Sequence, residues 1–310
     1  MRSVVVTAFG GTESLTIIER PVPVPGLGQV RVRVHSAAVN PVDLVTRAGT
    51  LREAGLHGPA PVGLGWDVCG TVDAVGPETR RIRVGQSVIG LSDRLQCQLK
   101  THADAVILPE AAVAAIPHDL DPDLAATLPL AGSTALQALE ALSLPERASF
   151  LVTGAAGAVG SLTVQLAKLR SLRVIATANG KHADRLRALG CDDFVPTADG
   201  LADDVRQILP GGVDGAVDAA SLGIRSLDAV RNQGAHVSLN VTQRPPALRG
   251  IRSVSIAVQA NWQHLTLLAA LAATGSLHVP IAEVIPLADV AEAHRRLGAG
   301  GLTGRIILRP

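Results

Sequence analysis

Three glycines at intervals of three residues, Gly154, Gly157 and Gly160, separate an apolar run from a segment with helical spacing. The run over 150–153 fits a buried parallel strand, and apolar residues from Val159 onward recur at helical intervals, which predicts a helix directly after the turn. Glycines let the chain turn tightly and approach a ligand closely, and the free N–H groups of a helix N-terminus favour a negatively charged group. The spacing therefore predicts a dinucleotide site that holds a pyrophosphate at this turn, with a plain tight turn as the alternative.

The end of the next predicted strand, over 173–177, indicates which dinucleotide would bind. Proteins that bind NAD usually carry Asp or Glu about 20 residues beyond the glycines, where the carboxylate binds the ribose hydroxyls. Between Gly160 and Asp184 this chain has no acidic residue. The strand leads instead into Asn179, which can hydrogen-bond a 2′-phosphate, and Lys181, which attracts it; a solvated turn with a chance lysine is the alternative. The pattern favours NADP(H), and we expect NADPH as the cofactor.

The chain from Asp121 onward alternates between strand-like and helix-like segments. This alternation predicts an α/β fold with a doubly wound parallel sheet. The predicted strands lie over 150–153, 173–177, 193–196, 215–218 and 235–239. The residues assigned to the cofactor are Gly154, Ala156, Gly157, Ala158, Val159, Gly160, Asn179, Lys181 and Leu239.

The first third of the chain has the pattern of a small β-barrel, because Gly/Pro-rich turns such as that over 21–26 separate short runs of β-branched residues. The predicted strands lie over 4–9, 16–19, 29–38, 69–75 and 87–90. Beyond Trp262, the elements predicted to return to this first domain are a helix over 264–273, a segment over 285–297 and a strand over 304–308. The sequence thus predicts two domains, one formed by 1–120 and 263–310 and the other by 121–262.

The composition argues against several classes of protein. With 47% hydrophobic residues in 310, the chain can bury a large core, and a net charge of +1 without long runs of one sign gives no reason to expect a nucleic-acid or membrane partner. The most apolar long stretch, over 124–142, is broken by Pro129 and predicts a buried helix, not a membrane span. Three separated cysteines and an N-terminal apolar run too short for a signal peptide favour a reduced, cytoplasmic protein. The chain has no tyrosine.

Along nearly its whole length, the chain resembles the zinc-independent quinone oxidoreductase branch of the medium-chain dehydrogenase/reductase superfamily. The motifs that carry the resemblance are Asn40-Pro41-Val42-Asp43 with Arg47-Ala48-Gly49, Gly65-Trp66-Asp67-Val68-Cys69-Gly70 with Val75-Gly76, Leu128-Pro129-Leu130-Ala131-Gly132-Ser133-Thr134-Ala135, the glycine turn over 154–160, Ala188-Leu189-Gly190-Cys191-Asp192, Ala291-Glu292-Ala293-His294 and Gly304-Arg305-Ile306-Ile307-Leu308. Several motifs in order, at the family's spacing, are more specific than any one of them. The resemblance implies a Rossmann domain for the cofactor, a GroES-like substrate domain in two chain segments, and a homodimer.

The resemblance also bears on metal binding. Zinc members of this superfamily hold a catalytic metal with an early Cys, a Gly-His-Glu segment and a later Cys or Asp. Here Gly65, Trp66 and Asp67 stand in the place of Gly-His-Glu, and the loop over 40–45 offers no thiolate. Since tryptophan cannot bind zinc and no Cys-x-x-Cys occurs in the chain, we expect no metal site, and hydrogen bonds must polarise the carbonyl of a substrate.

Two residues are candidates for catalysis on the strength of the resemblance. It places Asn40 beside the nicotinamide, where the amide can donate to a substrate carbonyl or orient the ring; a simple Asn-Pro turn is the alternative. Thr134, at the start of a helix, is expected to hydrogen-bond the nicotinamide amide, with an ordinary helical threonine as the alternative. Asp43 is expected to tie its loop down through backbone N–H groups or Arg47, and Asp67 to be structural.

The chain departs from the family in its substrate pocket. Members often carry a tyrosine where 45–51 stands here, and aromatic residues where 100–104 stands, so the pocket is expected to be wider or differently filled. His57 and His102 are possible proton donors, but ordinary surface or loop positions are the simpler interpretation.

Three functions follow from this reading. The first is an NADPH-dependent reductase of a quinone or an α,β-unsaturated carbonyl, with that small molecule as its partner. The second is a metal-free ketone reductase or alcohol dehydrogenase. The third is an NADPH-binding protein without redox activity, such as a sensor, scaffold or cyclase. The resemblance favours the first.

Overall fold

The computed structural model describes residues 1–197 and 199–310. Its strands are β1 (Arg2–Val6), β2 (Leu15–Glu19), β3 (Gln29–Ala38), β4 (Val62–Gly63), β5 (Asp67–Val75), β6 (Ser87–Leu91), β7 (Ala105–Pro109), β8 (Val113–Ala115), β9 (Ser149–Thr153), β10 (Arg173–Ala178), β11 (Asp193–Pro196), β12 (Val213–Asp218), β13 (Val230–Ser238), β14 (Arg252–Ser255), β15 (Ile281–Pro286) and β16 (Arg305–Arg309). Its α-helices are α1 (Pro41–Ala48), α2 (Thr50–Glu53), α3 (Pro122–Ala126), α4 (Pro129–Leu142), α5 (Ala158–Leu169), α6 (Ala183–Ala188), α7 (Leu201–Ile208), α8 (Ile224–Asp228), α9 (Trp262–Ala273) and α10 (Val290–Ala299).

The chain divides into two compact units. Unit 1 comprises Met1–Leu130, Gln259–Gly275 and Val279–Pro310, and unit 2 comprises Ala131–Val258 and Ser276–His278. The sequence placed the first boundary at 120, whereas unit 1 continues through α3, because that helix packs against β3 and β5.

Unit 1 is built on two sheets. The order β2-β1-β4 forms a three-stranded antiparallel sheet, and a seven-stranded sheet runs β15-β16-β3-β5-β6-β8 with β7 paired to β3. Along β3, Val30, Val32 and Val34 are buried while Arg31 and His35 point away from the core, which is the two-residue period of a strand with one apolar face. These valines pack with apolar residues of β5, β6, β7 and β8.

Unit 2 is built on one parallel sheet with the order β11-β10-β9-β12-β13-β14. The chain enters at β9 in the middle, moves outward through β10 and β11, and then crosses to β12 on the other side of β9. This reversal is the topological switch point at which open α/β sheets bind ligands, at the carboxyl ends of the strands. The predicted doubly wound parallel sheet is confirmed.

Two predicted elements are each divided in the structure. The apolar stretch over 124–142 contains two helices, because Pro129 lacks an N–H and begins α4 as its first residue. The segment over 285–297 contains the end of β15 and most of α10. Among the described residues, no helix is both long and apolar enough to cross a membrane.

Candidate active site

The glycine turn joins β9 to α5 in unit 2, and two of its glycines are required by geometry. Gly154 has φ +60, and a Cβ there would lie 3.1 Å from the carbonyl of Ala219 in the turn after β12. A Cβ on Gly160 would lie 2.3 Å from the Gly154 carbonyl oxygen, which is far inside van der Waals contact. The turn therefore keeps this shape only with glycine at both positions.

Backbone donors lie at the N-terminus of α5. The N-cap residue is Gly157, which has no side chain to occupy the first N–H groups of the helix. Those groups belong to Ala158, Val159 and Gly160, and they have no partner one turn earlier in the helix. With the positive end of the helix dipole, they fit a pyrophosphate group.

Three other residues assigned to the cofactor, Asn179, Lys181 and Leu239, follow strands at the same edge of the sheet, where β9 and β12 also end. The Thr153 hydroxyl at the end of β9 donates to Asp218 Oδ1 at the end of β12 over 2.6 Å, and both residues are fully buried. Directly after β13, Leu239 N donates to the Asp218 carbonyl oxygen over 3.1 Å. Asn179 follows β10, where its Oδ1 accepts from Lys181 N over 3.1 Å. The parallel strands thus bring residues far apart in sequence to one edge of the sheet.

A cluster of cations follows β10. It consists of Lys181 and Arg185, with the imidazole of His182 between them in sequence, and the described residues contribute no acidic partner to either cation. Burial, with the positive charges of its two neighbours, lowers the pKa of His182. Arg185 donates from Nη2 to the Ala156 carbonyl oxygen of the glycine turn over 3.4 Å, while its buried Nη1 has no hydrogen-bond partner.

Arg185 was not assigned from the sequence. The signal available there was its spacing, because residues four apart share one face of a helix and Arg185 stands four after Lys181. Its contact with the glycine turn depends on the packing of α6 and was not visible in the sequence.

In unit 1, Asn40 is the N-cap residue of α1. Its backbone N–H donates to Asp43 Oδ2 over 2.9 Å, and Asp43 Oδ1 accepts from Gly65 N over 2.8 Å, so the expectation that Asp43 ties down its loop through backbone groups is confirmed. The Asn40 side chain turns away from the helix, and its Nδ2 donates to the Ala38 carbonyl oxygen over 3.2 Å and to Asp67 Oδ2 over 2.9 Å. Both amide hydrogens are therefore engaged within unit 1.

Arg305 completes this arrangement from β16. Its Nη2 donates to Asn40 Oδ1 over 2.7 Å and to Asp67 Oδ2 over 2.9 Å, while its Nε is buried without a partner. Asp67 also accepts from the backbone N–H of Leu130. Burial raises the pKa of Asp67 to about 6, against the opposing effects of Arg305, Asn40 and Leu130. In the sequence, Arg305 is part of a family motif, and no functional role is predicted for it.

Two buried histidines lie beside these residues. The rings of His102 and His294 meet edge to face with centroids 6.4 Å apart, and His294 Nδ1 lies 3.3 Å from Arg47 Nη1. Burial lowers the pKa of both, that of His294 to about 4, where the nearby positive charges of His102 and Arg47 add to the effect and Asp43 opposes it. His102 Nδ1 and His294 Nε2 have no partner.

The two histidines named as possible proton donors are both buried, at 8% exposure for His57 and 1% for His102. Both lie in loops, which is one of the two expected positions, but neither lies at the surface, because these loops fold back into unit 1. We name as the polar cluster the set of buried polar residues Asn40, Asp43, Asp67, His102, His294 and Arg305.

Thr134, the second candidate for catalysis, lies in α4 and is half-buried. Asn40 belongs to unit 1 and Thr134 to unit 2. The catalytic roles of both residues stay predictions.

The described residues contain no group of three or more His, Cys, Asp or Glu side chains placed to hold a metal ion. Cys69 is buried, and burial raises the pKa of its thiol to about 12, with the negative charges of Asp121 and Asp123 adding to the effect. The metal-binding thiolate is therefore strongly disfavoured at Cys69.

Known proteins match the whole chain. A family model described as "Alcohol dehydrogenase GroES-like domain" matches residues 26–118, and one described as "Zinc-binding dehydrogenase" matches residues 189–308. The chain is 30% identical to the 2-methylene-furan-3-one reductase of Solanum lycopersicum, over 98% of this chain and 78% of that protein. It is 29% identical to the chloroplastic NADPH-dependent alkenal/one oxidoreductase of Arabidopsis thaliana, over 100% of this chain and 80% of that protein. The solved quinone oxidoreductase of Coxiella burnetii superposes with a TM-score of 0.88 at 27% identity, over 100% of this chain and 99% of that one.

The fold, the glycine turn and these similarities define an oxidoreductase with a GroES-like domain and a Rossmann-type sheet. The chain belongs to the quinone oxidoreductase branch of the medium-chain dehydrogenase/reductase superfamily. The family resemblance and the fold class expected from the sequence are both confirmed.

Proposed function

We propose that this protein is an NADPH-dependent, zinc-independent reductase of quinones or α,β-unsaturated carbonyl compounds. The observation that carries the proposal is the glycine turn at the switch point of the sheet, followed after β10 by Lys181 and Arg185, with no acidic residue between Gly160 and Asp184. The names of two relatives, an alkenal/one oxidoreductase and a quinone oxidoreductase, support this class of substrate.

The residues of unit 2 fit the charges of NADPH. The N–H groups of Ala158, Val159 and Gly160 bind the pyrophosphate, and Lys181 and Arg185 bind the 2′-phosphate. A carboxylate at the end of β10 would repel that phosphate and select NADH, but Asn179 stands there. When bound, NADPH supplies a hydride to the electrophilic carbon of the acceptor.

The residues of unit 1 fit a conjugated acceptor. Reduction of such an acceptor spreads the incoming charge onto an oxygen as an enolate or hydroquinone anion, which needs less stabilisation than a bare alkoxide. The Asn40 amide is held by Asp67 and Arg305, so any donor role toward the acceptor requires it to exchange one of its two present hydrogen bonds. Because these partners fix the amide, Asn40 is positioned before the acceptor binds.

The test must also distinguish two alternative functions. A metal-free ketone reductase would turn over isolated ketones. It would also need a side-chain acid to protonate the alkoxide that forms. A non-redox NADPH-binding protein would bind the cofactor without oxidising it.

The test is the rate of NADPH oxidation, followed by absorbance, with a panel of quinones, enones and saturated ketones. We expect turnover of quinones or enones, with saturated ketones slower. Faster reaction of saturated ketones than of every quinone and enone would favour the ketone reductase. Tight NADPH binding with no acceptor reduced would favour the non-redox protein.

Zinc independence has its own measurement. The proposal rests on Trp66, which lies next to Asp67 and cannot bind zinc. Metal analysis of the purified protein should return far less than one zinc per chain, and chelators should leave turnover unchanged. About one zinc per chain, with activity lost on chelation, would contradict this.

We further propose a homodimer in the cytoplasm. The dimer is supported by β14, which is the edge strand of the sheet in unit 2 and can pair with the same strand of a second copy. Light scattering at micromolar concentration should give twice the chain's mass of 31.9 kDa. The reduced state of Cys69, Cys97 and Cys191 is consistent with the cytoplasm.

A further inference from the structure

Lys100 is a buried lysine that none of the roles above uses. It is only 4% exposed, and its Nζ lies 3.8 Å from the centroid of the Trp66 ring, over the face of the indole. Within the residues that the structure describes, Nζ makes no hydrogen bond and no ion pair, although an ammonium group carries three N–H donors. Its contact with Trp66 offsets only part of the cost of burying the charge.

The backbone on both sides of Lys100 is held firmly. Gly63 N donates to the Cys97 carbonyl oxygen over 2.9 Å, and His102 N donates to the Leu64 carbonyl oxygen over 3.0 Å. Lys100 therefore lies in a segment that pairs with 63–64. Only Gly65 separates those residues from Trp66 and Asp67. An ammonium group without a hydrogen-bond partner among the described residues is thus held beside the polar cluster.

Several titratable groups lie around the ammonium. The groups that act on it are Asp43 on α1, Asp67 on β5, and Asp93 and Cys97 in the loop after β6. Burial lowers the pKa of Lys100 to about 8, although these four groups oppose the shift. Lys100 in turn contributes to the lowered pKa of His102 in its own segment. At neutral pH the amine is mostly protonated and can still release a proton, which suits a general acid.

We propose that the Lys100 ammonium is the proton donor to the oxygen of the acceptor during reduction. This inference rests on the proposed function. The hydride brings an electron pair to the β-carbon of an enone or to a quinone carbon, and the π electrons of the acceptor move onto the carbonyl oxygen. An Nζ–H bond of Lys100 breaks and an O–H bond forms, which yields the enol of an enone's product or, from a quinone, a keto tautomer that rearranges to the hydroquinone. Water reprotonates the neutral amine, and an enol then tautomerises to the saturated ketone.

The step also gives Trp66 a role. The indole face stabilises the protonated amine without occupying it in a conventional hydrogen bond, so the N–H donors that point away from the ring stay available for an acceptor oxygen. In this chain the segment over 65–67 holds no histidine, and Lys100 supplies a positive charge beside Trp66.

The experiment is single-turnover oxidation of bound NADPH by an enone and by a quinone, measured between pH 6 and pH 9.5. In the unmutated protein, the rate constant should fall above about pH 8 as Lys100 deprotonates. Lys100→Met should lower the plateau by about 10²-fold and remove this fall. Lys100→Arg keeps a charged donor that does not deprotonate, so it should give an intermediate rate without the fall below pH 9.5.

The matched control is Lys168→Met, the same change at a lysine that pairs with Asp192 over 2.7 Å in unit 2. It should keep the rate and the pH profile of the unmutated protein. NADPH affinity and melting temperature, measured on each variant, distinguish a catalytic loss from misfolding. A Lys100→Met variant that folds, binds NADPH and keeps both the rate and the fall above pH 8 would overturn the inference while the proposed function stands. If the unmutated protein reduces no enone or quinone, the proposed function itself fails.

Discussion

Asn40 and Asp67, 27 residues apart in sequence, are joined in the core of unit 1 by a hydrogen bond of 2.9 Å from the Asn40 amide to the Asp67 carboxylate. Arg305 closes the triangle, because its Nη2 lies 2.7 Å from Asn40 Oδ1 and 2.9 Å from Asp67 Oδ2. Asp67 and Arg305 together hold the Asn40 amide in a single orientation. The ion pair is buried, so removal of any one partner leaves polar groups without compensation.

Asn40→Ala should therefore impair the reaction more than the binding of the cofactor. Loss of one preorganised polar group costs about 10²–10³ in rate, so we expect kcat to fall by that factor while the NADPH dissociation constant changes little. The control is Asn261→Ala, which removes an asparagine that caps α9 by accepting from Gln263 N and His264 N. This control should lower stability by about 1 kcal/mol and leave kcat unchanged. Equal kcat in Asn40→Ala and the unmutated protein would contradict the prediction.

The cation cluster should set the preference for NADPH over NADH. A charge-assisted hydrogen bond is worth about 1.5–3 kcal/mol, so Lys181→Ala and Arg185→Ala should each weaken NADPH binding roughly ten- to a hundredfold. Binding of NADH, which lacks the 2′-phosphate, should change little in either variant.

Arg187→Ala is the control for both variants, because Arg187 lies on the same helix as Arg185 but pairs with Asp184. Dissociation constants from fluorescence titration check the prediction. Equal affinity of the unmutated protein for NADPH and NADH would contradict the predicted preference.

Gly160→Ala should disrupt the glycine turn. The new Cβ would lie 2.3 Å from the Gly154 carbonyl oxygen, so the backbone of the turn must move. We expect a lower melting temperature and at least tenfold weaker NADPH binding. Gly211→Ala is the matched control, because Gly211 is exposed and nothing lies within 4 Å of an added Cβ. Unchanged NADPH affinity in Gly160→Ala would show that the turn does not contact the cofactor.

His294 should make the protein less stable in acid. Its pKa is lowered from 6.5 to about 4, so below pH 6.5 the unfolded chain binds a proton that the folded chain does not. Stability is then lost as the pH falls from 6.5 to 4, by up to about 3 kcal/mol. Asp67 acts in the opposite direction, because its raised pKa of about 6 makes the folded state more stable as the pH falls from 6 to 3.8.

A comparison with His294→Gln isolates the histidine from Asp67. The free energy of unfolding, measured with urea at several pH values, should decrease more steeply in the unmutated protein than in the variant between pH 6.5 and pH 4. Parallel curves over that interval would show that His294 is protonated equally in the folded and unfolded chains.

The strand–turn–helix unit at the cofactor site was predictable from the sequence because its signals are local. The apolar run of β9, the glycines and the helical spacing of α5 lie within 21 consecutive residues, Ser149–Leu169. The absence of an acidic residue between Gly160 and Asp184 is likewise a local fact. The sequence did not predict the helix boundary at Pro129, where one predicted helix divides into α3 and α4.

The sequence alone determined the class of fold and the position of the glycine turn, and it predicts the preference for NADPH, since each depends on neighbours along the chain. Only the tertiary structure decided which buried charges meet. Arg305 reaches Asp67 across 238 residues, and Lys100 lies over Trp66 because separate loops pair through their backbones. Such contacts leave no periodic pattern in the sequence, because burial and the packing of distant strands select them.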